Sequence, residues 1–234
     1  MSELTASPIF GVLISLITFE IGCILYSKTK LTILNPLLIS IILTMVFLVR
    51  FNISLDCYNQ GGHIISFFLG PSTIVLAVPL YKKIHLLKKY IVPIVVGICS
   101  GSCLGITSVI LLSKLFKLDS PITISMLPKS VTTPIGIEIS KQLGGISAVT
   151  VGAIILTGIL GAVIGPAILG LVKVKNKVAI GIAIGTASHA VGTTKAVELG
   201  ETEGAMSSLC IGIAGLATVF LAPLLYNLIN MLLK

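Results

Sequence analysis

Long apolar stretches constrain the fold of this chain more than any other feature of its sequence. Residues 8–26, 31–49 and 205–233 together carry a single charged side chain, that of Glu20. A helix rises about 1.5 Å per residue, so about 20 residues cross the roughly 30 Å of hydrocarbon in a bilayer. Lipid offers the backbone no hydrogen-bond partners, which restricts spanning segments to helices and closed barrels, and continuous apolarity is unlike the alternating pattern of barrel strands. The sequence therefore predicts an all-α integral membrane protein.

Composition and charge agree with this class of protein. Hydrophobic residues make up 55% of the 234 residues, and the mean hydropathy is +1.12, far from the values of soluble domains. Most of the Lys and Arg residues lie in short loops, which is typical of topology signals and of lipid headgroup contacts, so nucleic acid is not an expected partner. Because the number of cysteines is odd and most of them lie inside apolar segments, neither a disulfide framework nor a metal site is predicted. The opening residues lack the pattern of a signal peptide.

Eight apolar segments can be marked, and the loops between them are too short for a soluble domain. We therefore expect one transmembrane domain over residues 1–234. If residues 121–141 enter the bilayer and return to the outer face, most loop lysines lie on the inner side, as the positive-inside rule prefers. This arrangement has about seven transmembrane helices plus a re-entrant or broken-helix hairpin, with the N-terminus outside and the C-terminus inside. The segments are 8–26, 31–51, 63–81, 91–113, 121–141, 146–172, 178–197 and 205–233.

The spacing of the segments indicates an internal repeat. A shift of 115 residues carries the segment starts 8, 31, 63 and 91 onto 123, 146, 178 and 206. We expect repeat halves 1–117 and 118–234 related by a two-fold inverted repeat, although regular span length alone would give the same spacing. The shift pairs 70–73 with 185–188, and paired interrupted segments are the best pointer in a sequence to a transporter's substrate site.

Three stretches place proline or glycine among hydroxyl residues at membrane depth. Free backbone groups persist there only where protein or a polar cavity satisfies them, so we expect these stretches to line a solute cavity. They are FFLGPSTIVLAVPLY (67–81), MLPKSVTTPIGIEIS (126–140) and GTASHAVGTTKAVELGETEGA (185–205).

Lys129 is the most costly residue in the chain, because a charge at the centre of a membrane segment costs about 2.5–3.5 kcal/mol on insertion scales. We interpret it as an anion-binding ammonium with Ser130, Thr132 and Thr133 as neutral donors beside it. The alternative is a side chain that reaches the interface or pairs with Glu138.

His189 lies in the last interrupted stretch, next to Ser188 and near Thr186. An imidazole there can bond a carboxylate or shuttle a proton. The alternative is a neutral histidine bonded to a main-chain carbonyl. Ser72 and Thr73 of the first interrupted stretch complete the predicted substrate site.

Other polar residues receive weaker interpretations. Glu20 and Glu138 are candidates for coupling to H⁺ or Na⁺, and no other cofactor and no metal site is expected. Glu198, Glu201 and Glu203, with Lys195, are expected to form a solvated helix end. The glycine ladders Gly97, Gly101, Gly105 and Gly161, Gly165 have the four-residue spacing of close helix packing.

The sequence does not favour an enzyme. Both aspartates, Asp56 and Asp119, lie in loops, and no H-E-x-x-H zinc motif is present. Ser188 and His189 are sequence neighbours, a placement that does not suit a catalytic dyad.

Three motifs carry a resemblance to a known family. The stretches LPKSVTTPIG (127–136), LGPSTIVLAVPLYK (69–82) and GTASHAVGTTKAVELGETEGAMSSL (185–209) resemble signature stretches of the LrgB family, also called CidB-like or antiholin-like proteins. The resemblance covers nearly the whole chain. It implies a multi-pass protein of the bacterial plasma membrane that acts with a smaller membrane protein of the LrgA or CidA type.

The resemblance implies two kinds of function. Bacterial members are described as modulators of holin-like partners, of murein hydrolase activity and of lysis, which implies action by assembly in the membrane. Plant relatives look like glycolate and glycerate carriers, and some bacterial pairs are linked to pyruvate. A buried lysine and interrupted helices suit a small monocarboxylate, whose charge needs a cation and hydroxyl donors. We therefore expect a carrier of the pyruvate, glycolate, glycerate or lactate type, in which a homo-oligomer is compatible with the sequence.

Overall fold

The structure is a computed structural model that describes residues 7–29, 34–68, 71, 74, 77–82 and 84–232. Every regular element in these ranges is a helix, which confirms the all-helical prediction. The helices are α1 (Pro8–Thr29), α2 (Pro36–Arg50), α3 (Leu55–Phe67), α4 (Ala77–Lys82), α5 (Ile84–Leu115), α6 (Ser120–Met126), α7 (Thr133–Leu143), α8 (Ser147–Leu171), α9 (Lys177–Leu199) and α10 (Glu201–Leu232).

Four of the described helices are long and apolar enough to cross a membrane. They are Pro8–Thr29, Lys88–Leu115, Ser147–Leu171 and Glu201–Met231, and α2 is a shorter apolar helix. The chain is therefore a multi-pass membrane protein. The inverted repeat stays a prediction.

Polar residues and glycine set several helix ends. Asn35 accepts a hydrogen bond from Leu37 N at 2.9 Å at the start of α2, and Asn176 accepts one from Ala179 N at 3.1 Å at the start of α9. Such caps satisfy backbone donors that have no partner within the helix. Gly144 ends α7 with φ 88°, a conformation that favours glycine.

The described residues fall into two compact units, one within residues 1–75 and one within residues 76–234. In the first unit, α1 packs closely on α3, because a Cβ on Gly11 would lie 3.1 Å from Gly61 Cα. Thr18 Oγ1 of α1 lies 3.0 Å from both Ser40 Oγ and Thr44 Oγ1 of α2. Small residues and shared hydroxyl bonds are the means by which helices associate in lipid.

The second unit has α10 at its centre. One end of α10 packs in an apolar cluster with α5, formed by Ile94, Ile98, Ala205, Met206, Cys210 and Ala214. Its other end packs in a cluster with α5, α7 and the residue after α6, formed by Ile106, Val109, Ile110, Leu127, Ile139 and Ala222. These clusters fix α5 and α10 as the frame that holds the interrupted segments.

The second and third interrupted stretches appear as breaks between or within helices. In the first stretch the structure describes Pro71 and Ile74, which are helical, whereas Ser72 and Thr73 lie outside the described residues. The second breaks between Met126 and Thr133. The third breaks inside α9 at His189, whose backbone has φ 43° and ψ −136°.

Candidate functional site

The segment formed by α6, residues 127–132 and α7 reverses direction, and we call it hairpin 1 (residues 120–143). A Cβ on Gly136 would lie 3.4 Å from Pro128 O, and one on Gly145 would lie 3.0 Å from Ser125 Oγ. Earlier residues of the first arm therefore contact later residues of the chain, which is the pattern of two antiparallel arms. This is the reversal predicted for residues 121–141, and its depth in the bilayer stays a prediction.

Hairpin 1 is tied to the helix that follows it. Ser125 Oγ accepts a hydrogen bond from Ile146 N at 2.7 Å, and Thr150 of α8 donates to Ser140 Oγ at 2.7 Å. Both serines and Thr150 are buried. Each arm of hairpin 1 thus has its own polar anchor at the start of α8.

Helix α9 also doubles back, and we call it hairpin 2 (residues 177–199). A Cβ on Gly192 would lie 3.0 Å from Ile184 Cγ2 and 3.1 Å from Ile184 O. In a straight helix, residues eight apart are separated by about 12 Å. The two arms before and after His189 therefore pack against each other.

The contacts of hairpin 2 with α10 confirm the reversal. On the first arm, Gly181 faces Met206 and Gly185 faces Cys210, so this arm runs parallel to α10. On the second arm, Thr193 Oγ1 lies 2.8 Å from Ser207 Oγ, and Val197 faces Gly204, so this arm runs antiparallel to α10. The prediction that residues 178–197 form one interrupted span is therefore corrected to a hairpin whose ends lie at the same level of α10.

The two hairpins meet at one residue of α8. The imidazole Nε2 of His189, at the turn of hairpin 2, lies 3.0 Å from Ile154 O. A Cβ on Gly136 of hairpin 1 would lie 3.6 Å from Ile154 Cγ1. Gly158, one turn further along α8, leaves room for the imidazole, because a Cβ there would lie 2.8 Å from His189 Cε1.

A cavity of about 600 Å³ lies between α5 and the two hairpins. Its wall is mostly apolar, and its polar side chains carry one ammonium, four hydroxyls and one amide. The lining residues with these groups are Lys129, Tyr90, Ser100, Ser130, Thr186 and Asn176, and the glycines Gly97, Gly101 and Gly105 of α5 form part of the same wall.

The glycine ladders of α5 and α8 face hairpin 2 at four positions, and the approach is close at Gly101 and Gly161. Gly97 faces Ile182 and Gly101 faces Thr186, whose Cγ2 would lie 3.0 Å from an added Cβ. On α8, Gly161 and Gly165 likewise face the side chains of Ser188 and Ile184. Gly105 differs from the packing prediction, because an added Cβ would meet no atom within 4 Å.

The ammonium of Lys129 lies on this cavity wall. Its Nζ donates to Ser130 Oγ at 3.4 Å, and among the described residues no carboxylate forms an ion pair with it. Glu138 is exposed and accepts a hydrogen bond from Gln142 Nε2 at 3.1 Å. Of the alternatives raised for Lys129, pairing with Glu138 does not occur.

Thr186 is the third predicted site residue on the cavity wall. It is 8% exposed, and apart from the neighbouring Cys210 side chain its Oγ1 has no hydrogen-bond partner among the described residues. A buried hydroxyl without a partner costs free energy, and a bound solute or water removes that cost.

The other predicted site residues that the structure describes lie outside the cavity wall. Ser188 and His189 are buried against α8, and the bond from His189 to Ile154 O matches the alternative of a histidine paired with a main-chain carbonyl. Thr132 and Thr133 are half-buried at the start of α7. The coupling candidates Glu20 and Glu138 are both exposed.

Glu203 is a buried carboxylate that the sequence interpretation placed at a solvated helix end. It is 5% exposed, and its Oε2 has no hydrogen-bond partner in the part of the chain that the structure describes. The expected solvated end is thus correct for the exposed Glu198 and Glu201 and wrong for Glu203. The signal for its burial is the run of small residues that follows it, Gly204 and Ala205, which lets α10 approach its neighbours closely.

Comparison with known proteins gives a consistent relationship along the chain. The model of the LrgB-like family matches residues 15–228. The antiholin-like protein LrgB of Bacillus subtilis (strain 168) is 42% identical over 229 residues, which cover 97% of this chain and 99% of that protein. Proteins of the same name from Bacillus mycoides (strain KBAB4) and Bacillus cereus (strain B4264) are each 39% identical over 221 residues, 94% of this chain and 96% of theirs. No solved structure matches this chain.

Proposed function

This chain belongs to the LrgB-like family of membrane proteins, and on that premise we propose that it carries small monocarboxylates across the plasma membrane of a bacterium. The solute is of the pyruvate, glycolate, glycerate or lactate type. It occupies the cavity between α5 and the two hairpins, where Lys129 binds its carboxylate.

The observation that carries this proposal is the position of the Lys129 ammonium. It lies on a cavity wall, and among the described residues no carboxylate pairs with it. A charge in a membrane segment is retained only where it has a function or a partner. The carboxylate of a small organic anion supplies the missing partner. The carbon atoms of the same anion then contact the apolar wall.

The hydroxyls beside Lys129 suit the remaining oxygen atoms of such a solute. Ser130 already contacts the ammonium, and Thr186 offers a buried hydroxyl that no nitrogen or oxygen atom of the described residues bonds. A 2-oxo or 2-hydroxy acid presents one further oxygen next to its carboxylate, and this oxygen can accept a hydrogen bond from a hydroxyl on the cavity wall. A simple fatty acid lacks that oxygen and would leave the hydroxyl unpaired, so the cavity would bind it less tightly.

The hairpins give the proposed carrier elements that can open and close. Interrupted helices at a substrate site are a recurring feature of secondary transporters, in which one bundle moves against another around the site. Hairpin 1 contributes Lys129 and Ser130 to the cavity, and hairpin 2 contributes Thr186 and Ala187. Movement of either hairpin would therefore change access to the ammonium.

The proposed carrier works with a smaller membrane protein of the LrgA or CidA type, as the family resemblance implies. Many large apolar side chains of the described helices are exposed, among them Leu104 at 70% and Leu216 at 64%. In a bilayer such side chains contact lipid, a partner or a second copy of the chain. Binding of the partner is tested by co-purification of the two proteins from the same membrane.

The names of the relatives favour a second candidate function. The three Bacillus proteins are called antiholin-like, which suggests a role in regulating membrane lesions, murein hydrolase export and lysis by assembly. The two functions differ in what crosses the membrane, since a carrier saturates with one class of solute and a lesion passes unrelated molecules.

Uptake by reconstituted vesicles distinguishes the two functions. We expect labelled pyruvate, glycolate or lactate to enter vesicles that contain the full chain together with the LrgA-type partner, at a rate that saturates with concentration. An entrapped dye should stay inside the same vesicles. Dye leakage together with non-saturating pyruvate entry would contradict the carrier and support the lesion-regulating function.

A further inference from the structure

The cavity between α5 and the two hairpins is longer than the solutes proposed for it. Helix α5 lines it from Tyr90 to Gly105, and the stretch from Pro93 to Gly105 alone is about 18 Å long. Its volume of about 600 Å³ is that of a pocket for a drug-sized ligand. A three-carbon acid therefore fills only a small part of this space.

Two helical segments run side by side along the cavity. Gly97 of α5 faces Ile182 of the first arm of hairpin 2. One turn further along both segments, Gly101 faces Thr186. Helix α5 and this arm are therefore parallel, and the arm lines the cavity over residues 178–187.

The groups that suit a carboxylate lie together at one end of the cavity. Leu127 packs in the apolar cluster with Ile106 of α5, so Lys129, which follows closely in the chain, lies near the end of the α5 wall. Thr186 faces Gly101, about one turn before that end. The ammonium has no carboxylate partner among the described residues, and no nitrogen or oxygen atom of these residues bonds the buried Thr186 hydroxyl. An acid with a further oxygen next to its carboxylate matches this end.

The remaining wall is mostly apolar up to the far end, where Tyr90 and Asn176 lie. One polar residue of this part, Ser100, donates its hydroxyl to a carbonyl of its own helix at 3.1 Å. Ala179 and Ala183 are exposed one turn apart, and their small side chains leave the space free. Such a wall stabilises a carbon chain by burial and gives a second charge no partner. The apolar side chains of this part are Pro93, Ile94, Val178, Ala179, Ile182 and Ala183.

We propose that the cavity binds 2-oxo monocarboxylates with an unbranched apolar chain of about four to six carbons more tightly than it binds pyruvate. The inference rests on the proposed carrier function and extends the class of its solutes. The carboxylate contacts Lys129, the 2-oxo oxygen accepts a hydrogen bond from Thr186, and the chain lies along the wall toward Ala183.

Chain length and terminal charge should have opposite effects on affinity. Each added methylene that the wall buries should lower the Kd by about fourfold, so 2-oxohexanoate should bind about 50-fold more tightly than pyruvate. A second carboxylate at the end of the chain would lie against the apolar wall, which costs free energy. Therefore 2-oxoglutarate should bind more weakly than 2-oxopentanoate, which has the same number of carbons.

Isothermal titration calorimetry on the full chain in detergent tests this series. The ligands are pyruvate, 2-oxobutanoate, 2-oxopentanoate, 2-oxohexanoate and 2-oxoglutarate. A Kd that does not fall with chain length, or 2-oxoglutarate that binds as tightly as 2-oxopentanoate, overturns the proposal. Lys129→Ala should weaken the binding of every acid, and equal heats from this variant and the wild type would show partition into the micelle and likewise overturn it.

A variant of the wall locates the chain in the cavity. Ala183→Leu places a larger side chain in the middle of the apolar wall and should reduce the ratio of the pyruvate Kd to the 2-oxohexanoate Kd toward one. Ala167→Leu is the matched control, because Ala167 is exposed on α8 and outside the cavity lining, and it should keep the wild-type ratio. A wild-type ratio in a folded Ala183→Leu protein overturns the proposed path of the chain.

Inhibition of labelled pyruvate uptake separates this inference from the carrier function. Vesicles with the full chain and its LrgA-type partner are used, and 2-oxohexanoate should inhibit uptake at a concentration about 15-fold lower than 2-oxobutanoate. Saturable uptake that both acids inhibit equally refutes this inference and leaves the carrier intact. Binding that depends on chain length in a protein without saturable pyruvate uptake refutes the carrier and supports the binding site.

Discussion

Lys129 gains its position from the chain reversal of hairpin 1. Pro128 precedes it, and the hydrogen bonds of this stretch join residues three apart, as in the bond from Lys129 N to Met126 O at 3.2 Å. These short turns carry the lysine past the end of α6 and onto the cavity wall. The backbone that carries Lys129 is therefore constrained before an anion binds. This constraint reduces the backbone conformational entropy lost on binding.

Replacement of Lys129 should weaken solute binding. A hydrogen bond to a charged group contributes about 1.5–3 kcal/mol, so Lys129→Ala should raise the KM for pyruvate uptake by about 10- to 100-fold. Lys129→Arg keeps the cation and should lose less. Lys141→Ala, which removes an exposed lysine at the end of α7, is the control for net charge and should keep the wild-type KM. Unchanged uptake by Lys129→Ala would remove the ammonium from the mechanism.

At the scale of residues, the sequence predicted the groups whose chemistry conflicts with their surroundings. Lys129 stands out because a charge interrupts an apolar run, and Thr186 because it lies beside glycines in a polar break. Glu203 could not be found in this way, because the neighbouring Glu198 and Glu201 suggest a solvated helix end. Gly200 leaves room for its carboxylate, and Gly181 packs against its backbone only after the chain has folded.

At the scale of elements, hairpin 2 is held by glycines that let its first arm touch the backbone of α10. An added Cβ on Gly185 would lie 2.8 Å from Ser207 Cα and 2.8 Å from Cys210 Cβ. Because these are backbone and Cβ atoms, a change of rotamer cannot relieve the contact. The arm would have to move away from α10.

Substitution of Gly185 should therefore destabilise the protein. We expect Gly185→Ala to lower the free energy of unfolding by about 1–3 kcal/mol, the usual cost of overpacking. Gly212→Ala on α10 is the matched control, since an added Cβ there meets no atom within 4 Å, and a gain of up to about 1 kcal/mol from helix propensity is expected. Thermal unfolding of both variants in detergent measures the difference, and equal stability of the two would contradict the packing described for hairpin 2.

The interruptions of elements were predictable, and the reversal in hairpin 2 was not. Pro128 and Pro134 mark the break in hairpin 1, because proline cannot continue a helix beyond its first turn. Hairpin 2 reverses at His189, a residue type with no such signature, and its left-handed φ of 43° is held by packing against Gly158 and the bond to Ile154 O. These contacts join residues more than thirty positions apart, which no local pattern indicates.

At the scale of the whole molecule, hydropathy predicted the class of protein, and the repeat stays a prediction. Four described helices have the length and apolarity of membrane spans. The proposed relation between halves 1–117 and 118–234 depends on a likeness between 70–73 and 185–188, and all of 70–73 except Pro71 lies outside the described residues. Composition alone distinguishes a membrane protein from a soluble one. Testing the internal repeat requires the structure of the matching segments in both halves.

Topology is the property of the whole molecule that labelling can test. If both hairpins are re-entrant, Asp119→Cys and Lys141→Cys should react with a membrane-impermeant reagent from one side, and Lys175→Cys and Glu201→Cys should likewise share one side. All four positions are exposed, and the five native cysteines are replaced first. A pair labelled from opposite sides would make its segment a full span. Labelling of Lys141→Cys from the cytoplasm would contradict the predicted outer face for hairpin 1.

The anchoring of hairpin 1 to α8 has a consequence for biosynthesis. Ser125 and Ser140 obtain their partners from Ile146 and Thr150, which leave the ribosome after both arms have been made. Until then the Ser140 hydroxyl lacks this partner, whereas Ser125 already donates to Pro121 O at 2.6 Å, and lipid supplies no replacement. We therefore expect hairpin 1 to enter the bilayer together with the first turns of α8.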